Sequence, residues 1–122
     1  MKRLSEREEY LMDLFWNYGP MTVNEILERI PEPRPHVNTV STQVRLLEAN
    51  GFLGHEKEGG AFRYHALIER REYGGTFIGR LVDRCFGHTY IDAVSALVDD
   101  KKISVDELKD LIRKIEERKG NR

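Results

Sequence analysis

The stretch around Gly51 constrains this chain most, because the hydrophobic period changes there. Upstream, Val40, Val44 and Leu47, with Leu46 on the flank, recur at the spacing of one helix face. This predicts a helix over about Val37 to Asn50 with Gly51 at its C-cap position. Downstream, Phe52 to Lys57 and Ala61 to Ala66 read as two strands around Glu58-Gly59-Gly60, a glycine turn that suits a β-hairpin. Phe62 and Tyr64 fall at alternate positions on one face of it. A helix that stops at a glycine and runs straight into a hairpin admits few small folds.

The residues before position 37 narrow the choice. Ser5-Glu6-Arg7-Glu8 is an S-x-x-E capping box, with Leu4 where a hydrophobic staple belongs. Leu11, Leu14 and Phe15, joined by Tyr10, make a helical stripe that stops at Asn17-Tyr18-Gly19-Pro20, so helix one covers about 6–17. Thr22-Val23-Asn24-Glu25 is a second box and opens a short helix to about Arg29, with Val23, Ile26 and Leu27 facing inward. Pro31, Pro33 and Pro35 forbid helix and extend the chain, so 31–36 is a connector.

After Leu67 the pattern is helical again. Phe77, Ile78, Leu81, Val82, Cys85 and Phe86 keep helical spacing over about Glu69 to Phe86. Gly74-Gly75 interrupts it at a cost of about 1 kcal/mol per glycine relative to alanine, which reads as either a kink or a later start. Tyr90 to Val98 form a short helix with Ile91, Val94, Leu97 and Val98 apolar, after a break at Gly87-His88. Ser104-Val105-Asp106-Glu107 is a third box, opening a last helix with Leu108, Leu111, Ile112 and Ile115 as a narrow stripe. The tail from Lys119 to Arg122 reads as frayed.

Three helices, a hairpin and a helical tail match a mainly α (α+β) winged helix-turn-helix, with a winged-helix domain over 1–67 and a helical region over 68–122. In such a fold the third helix enters the DNA major groove and the hairpin, the wing, flanks the phosphates. The thin apolar stripes of the tail are too few for a second core. They are better buried against a second copy, which predicts a homodimer through Phe77, Leu81, Val82, Phe86, Val94, Leu97, Leu108, Leu111, Ile112 and Ile115.

Charge argues against an indiscriminate nucleic-acid binder. The 122 residues hold 20 Lys plus Arg and 21 Asp plus Glu, a net charge of -1. Residues 1–67 carry 8 basic and 10 acidic side chains, so any DNA-binding charge must be local. It is local on helix three: between Arg34 and Leu47 there is no acidic residue, and Asn38, Thr39, Ser41, Thr42 and Arg45 make up its small, polar outer face. The single cysteine, Cys85, excludes an intrachain disulfide and fits a reducing compartment. With no apolar run near the ~18 residues of a membrane span and no apolar core near its N-terminus, the chain is expected in the cytoplasm, with no membrane partner.

Leu4-Ser5-Glu6-Arg7-Glu8, Leu14-Phe15-Trp16, Gly19-Pro20, Thr22-Val23-Asn24-Glu25-Ile26, Asn38-Thr39-Val40-Ser41-Thr42, Arg45-Leu46-Leu47-Glu48, Gly51-Phe52-Leu53, His55 to Gly60 and Phe62-Arg63-Tyr64-His65 follow one another at the spacing of a known family. In these stretches, and in Ile103-Ser104-Val105-Asp106-Glu107-Leu108, the chain resembles the BlaI/MecI type of penicillinase repressors, winged-helix transcriptional repressors of bacteria. The resemblance covers nearly the whole length. It implies a homodimer on a palindromic operator in double-stranded DNA, DNA contacts at Thr39 and Thr42, and relief of repression by a sensor-linked protease, with Ala96-Leu97 near where related repressors are cut. A copper-responsive branch uses C-terminal cysteine pairs; Cys85 is alone, so that metal site is absent and no cofactor is expected.

On the residues themselves, Thr39 and Thr42 are three apart on the helix-three face and reach DNA together, hydroxyls to phosphate or base edges and methyls to thymine. Asn38 and Ser41 share the face, and Arg45 suits a phosphate. His36 and Arg34 stand before the helix, near the backbone of bound DNA. On the hairpin, Lys57 and Arg63 are the expected phosphate contacts, provided that Glu56 and Glu58 point away. His55 and His65 sit on opposite strands and would begin a metal site without completing one. Cys85 and His88 have the spacing of a nucleophile and base but no orienting carboxylate or oxyanion donor, so Cys85 is expected to be a buried thiol and Trp16 a core residue. No phosphate loop or paired catalytic carboxylates appear, so no enzyme is expected. The alternative to a repressor is a winged-helix interaction module without DNA binding, favoured by the acidity of 1–67.

Overall fold

The computed structural model describes residues 1–120, and Asn121 and Arg122 of the expected frayed tail lie outside them. The chain forms two compact units, Met1–Phe77 and Ile78–Arg122. In order it builds α1 (Glu6–Tyr18), α2 (Val23–Arg29), α3 (Val37–Ala49), β1 (Leu53–Glu58), β2 (Ala61–Ala66), α4 (Arg70–Cys85), α5 (Tyr90–Asp99) and α6 (Val105–Gly120). Lys119 and Gly120 therefore extend a helix.

In the first unit, local chemistry sets most helix ends. Ser5 and Glu8 form the full reciprocal box that starts α1. Leu4 is buried, but the fourth helical position is Glu9, so Leu4 packs into the core instead of stapling the helix. Leu11, Met12, Leu14 and Phe15 face inward, while Tyr10 is exposed. The α2 box forms only in half. Thr22 Oγ1 accepts from the Glu25 N–H at 3.3 Å, whereas the Glu25 carboxylate is turned toward Arg63.

α3 ends in a Schellman motif. Gly51, at φ 85°, donates its N–H to Glu48 O, and Phe52 donates to Leu47 O, with Phe52 and Leu47 both fully buried beneath the turn. The hairpin that follows is antiparallel, with Leu53 opposite Ala66, His55 opposite Tyr64, Lys57 opposite Phe62 and Glu58 opposite Ala61. Gly59 supplies the left-handed φ of 61° that the two-residue turn requires. On its other edge β2 pairs with Met21 through reciprocal 2.9 Å bonds between Met21 and Tyr64, a bridge the sequence did not announce.

The core joins α1, α2, α3, the base of the hairpin and the start of α4. Tyr73 is the α4 contribution, with its ring near Trp16, Phe52 and Phe77. Trp16 is half-buried and donates its indole N–H to Ile68 O at 2.8 Å. α4 runs through Gly74 and Gly75 as one helix, so the pair is neither a break nor a late start.

The second unit is helical and leaves many of its apolar residues open, with Val82 buried. Ser104 and Glu107 form the complete reciprocal box that starts α6. Yet Ile91 is 77% exposed and Ile112 55%, and neither α5 nor α6 has a fully buried residue. No helix of the described residues is long and apolar enough to cross a membrane.

Candidate nucleic-acid interface

α3 presents its expected polar face outward. Asn38, Thr39, Thr42 and Arg45 are exposed and Ser41 is half-buried, while Val40, Val44 and Leu47 hold the opposite side in the core. Among the described helices, α3 alone has no acidic residue in its first turn, so the positive end of its dipole is not offset there. Thr42 Oγ1 donates to Asn38 O at 2.8 Å. This back-bond uses the hydroxyl proton and leaves the methyl and the oxygen lone pairs facing outward.

The two residues before the helix are occupied locally. His36 is the N-cap, its Nδ1 accepting from the Asn38 N–H at 3.0 Å, which puts the neutral ring's proton on Nε2. Arg34 Nε donates to Ile30 O at 2.8 Å, closing the C-terminal end of α2. Leu46, assigned above to the apolar flank, is 52% exposed. At 100° per residue it lies roughly 120° from the buried side, an arithmetic available from the sequence.

The wing divides its charges between two faces. Register puts Lys57 with His55, Phe62 and Tyr64 on one face, and Glu56, Glu58, Arg63 and His65 on the other. His55, Phe62 and Tyr64 of the first face line a groove against α3 with Ser41, Arg45 and Glu48, where His55 Nδ1 meets the Glu48 carboxylate. Lys57 is thus separated from both neighbouring glutamates. The same register puts His55 and His65 on opposite faces, so the two imidazoles do not converge. Gly54, opposite His65, leaves room for that ring: a Cβ there would lie 3.0 Å from it.

Arg63, expected beside Lys57 as a phosphate contact, has a different environment. Nη1 and Nη2 donate to the two oxygens of Glu25 at 2.9 Å each, Nε donates to Glu58, and Nη1 also reaches Pro20 O at 3.4 Å. One guanidinium N–H remains of five. One positive charge here faces two negative ones. The bond from Arg63 holds the Glu25 carboxyl below its ordinary range, and Glu25 in turn raises the guanidinium's affinity for its proton. The pair is fork-shaped and bidentate, the geometry in which arginine is least replaceable by lysine.

The residues expected at a dimer interface are spread unevenly. Leu81, Val94, Leu97, Leu111, Ile112 and Ile115 are exposed, Phe86 and Leu108 are half-buried, and Val82 is buried. Phe77 packs against the first unit's core, its ring centroid 4.7 Å from that of Tyr73. Cys85 is exposed, which corrects the expectation of a buried thiol: Val82 on the same stripe is buried, but the cover does not extend to Leu81 or Cys85. His88 bonds Asp83 at 3.0 Å and does not pair with Cys85. Ala96 and Leu97 fall within α5.

Comparison with known proteins agrees with this architecture. A family model described as Penicillinase repressor matches residues 4–117. The chain is 23% identical over 121 residues to the penicillinase repressor of Bacillus licheniformis, covering 98% of this chain and 94% of that one. It is 24% identical over 109 residues to the methicillin resistance regulatory protein MecI of Mammaliicoccus sciuri, covering 88% and 89%. Among solved structures, the DNA-binding domain of the repressor BlaI is similar at a TM-score of 0.52 and 27% identity, over 60% of this chain and 94% of that domain. Monomeric Bacillus licheniformis BlaI in complex with the blaP half-operator is similar at 0.50 and 26%, over 59% and 89%. The fold, the outward face of α3 and a family match across all but the ends of the chain have one reading: this protein belongs to the penicillinase repressor family.

Proposed function

We propose that this protein is a sequence-specific, DNA-binding transcriptional repressor that acts in the cytoplasm as a homodimer on a palindromic operator, and that it is not an enzyme. The observation that carries the reading is the outer face of α3, free of acidic residues from Val37 to Leu47, on a fold shared with a repressor's DNA-binding domain. In this reading Asn38, Thr39 and Thr42 meet base edges and phosphates in the major groove, with Ser41 at the margin. Arg45 and Lys57 contact phosphates, and His36 offers its outer ring nitrogen to the backbone of DNA. Of the acidic residues in 1–67, Glu25 is paired with Arg63, and Glu56 and Glu58 lie on the wing face opposite Lys57.

The second unit supplies the dimer contact. Its exposed residues, from Leu81 to Ile115, are the apolar surface that a second copy would cover. A two-fold axis then sets two α3 helices about one turn of DNA apart, roughly 34–36 Å. A sensor-linked protease acting at Ala96-Leu97 would meet a helical peptide bond, so cleavage would require α5 to open locally.

The test is selection from genomic DNA with the purified protein, followed by binding to the enriched fragment and to a scrambled one across a salt series. An inverted repeat bound by a dimer, with affinity falling steeply as salt rises, is the expected result. A folded dimer that enriches nothing would shift the reading to an interaction module.

A further inference from the structure

The wing has little to hold it in place. From His55 to Phe62 every residue is exposed, and a two-stranded hairpin is marginal on its own. Its base is secured by buried Leu53 and Tyr64 and by the Met21 bridge. Beyond the base, two side-chain contacts tie it to the helices: a hydrogen bond between His55 of β1 and Glu48 of α3 on one face, and an ion pair between Arg63 of β2 and Glu25 of α2 on the other. Arg63 also grips Glu58 at the end of β1, beside the turn.

We propose that Arg63 is a positioning residue and not a phosphate contact: through Glu25 it anchors the wing to α2, so that Lys57 on the opposite face is presented to the DNA backbone. The inference rests on the DNA-binding reading above. Three observations carry it. Most of the guanidinium N–H groups are already bonded, so a phosphate would have to displace a carboxylate. The Arg63, Glu25 and Glu58 group holds more negative than positive charge and repels a phosphate as a unit. Lys57 shares its face with neither Glu56 nor Glu58.

The roles predict opposite signs for one substitution. If Arg63 touched phosphate, removing the Glu25 charge would free it and tighten binding. If it positions the wing, Glu25→Gln loosens the anchor and weakens binding.

The experiment uses the full chain as wild type and as E25Q, R63Q, the E25Q/R63Q double variant, R63K and K57Q. Each is titrated by fluorescence anisotropy against the duplex recovered by genomic selection and against one of unrelated sequence, over a salt series. Hydrogen exchange of residues 53–66 is followed in the free proteins. E25Q and R63Q should each weaken binding by about two- to fivefold, the range of partly exposed ion pairs. Their salt slopes should stay at the wild-type value, the double variant should be no worse than either single, and wing exchange should quicken. R63K, which keeps the charge but lacks the fork, should bind as R63Q does. K57Q should instead lower the salt slope by about 0.9 and leave wing exchange unchanged.

Tighter binding by E25Q, a slope lowered by about 0.9 in R63Q, full recovery in R63K, or unaltered wing exchange in E25Q and R63Q would each overturn the proposal. Wild-type protein that binds neither duplex would overturn the DNA reading and this proposal with it, whereas wild-type binding with the wrong variant pattern would overturn this proposal alone. Thermal unfolding of each variant separates a loosened wing from a lost fold.

Discussion

The backbone N–H of Leu4 donates to the hydroxyl of Tyr73 at 3.0 Å, across 69 positions of sequence, and the same hydroxyl donates to Glu9 at 2.8 Å. One phenol thereby ties the chain entering α1 to the first turn of α4. Burial raises the Tyr73 pKa, and the neighbouring Glu9 adds to the effect. Tyr73→Phe keeps the ring packing but leaves the Leu4 N–H buried without an acceptor. It should destabilise the first unit by about 1–3 kcal/mol in chemical denaturation. An unchanged midpoint would mean that the Leu4 amide finds water.

Gly51 offers a test in which packing and backbone disagree. A Cβ there would meet nothing within 4 Å, yet φ is 85°. Gly51→Ala should cost about 1–2 kcal/mol from the left-handed conformation alone, and Gly51→Asn less, as judged from thermal unfolding. Equal stability of the alanine variant would show that the turn relaxes.

Thr42 lies on the face proposed to meet DNA, with no core role. Thr42→Glu places a carboxylate against phosphates, and like charges in contact cost several kcal/mol. Operator affinity should fall by about 100-fold or more while the melting temperature and oligomeric state hold. Retained affinity would remove α3 from the interface.

Ile112 is exposed on α6 and is proposed to be covered in the dimer. Ile112→Asp should shift the protein from dimer to monomer in sedimentation velocity with helicity retained. A wild-type protein that sediments as a monomer at tens of micromolar would itself refute the dimer.

Glu107 supplies a pH prediction. The Ser104 backbone N–H bonded to its carboxylate, with the Ser104 hydroxyl, holds its pKa below the ordinary range. A depressed folded-state value means that the box's contribution is complete above the ordinary carboxylate range and is lost as pH falls through the lower value. Titration of the Glu107 carboxyl by NMR should show a midpoint below that of an unstructured peptide, and Ser104→Ala, which removes the hydroxyl but keeps the backbone N–H, should raise it part of the way. Identical midpoints would mean that the box does not form in solution.

The capping residues mark how far local reading reaches. Ser5 with Glu8 and Ser104 with Glu107 form the boxes their spacing announces, because both partners lie within one turn. Thr22 and Glu25 have the same spacing, but a guanidinium 38 positions away takes the carboxylate. His36 and Arg34, expected near the backbone of DNA, each also bond a backbone group within four residues. Nothing in residue type distinguishes those two uses of a side chain.

By itself, the sequence determined the order of helices and strands, the polar side of α3, the glycine at its end and the register-capable turn of the wing, since each depends on periodicity or on φ at a single residue. Tertiary structure alone decided that Tyr73 joins the first unit, that Arg63 faces Glu25 and not the Lys57 side, and that Cys85 is exposed. Those outcomes depend on which distant surfaces meet. Pleating makes neighbours face apart, but which face turns toward α2 is set only when Met21 pairs with β2 and the hairpin closes over the core.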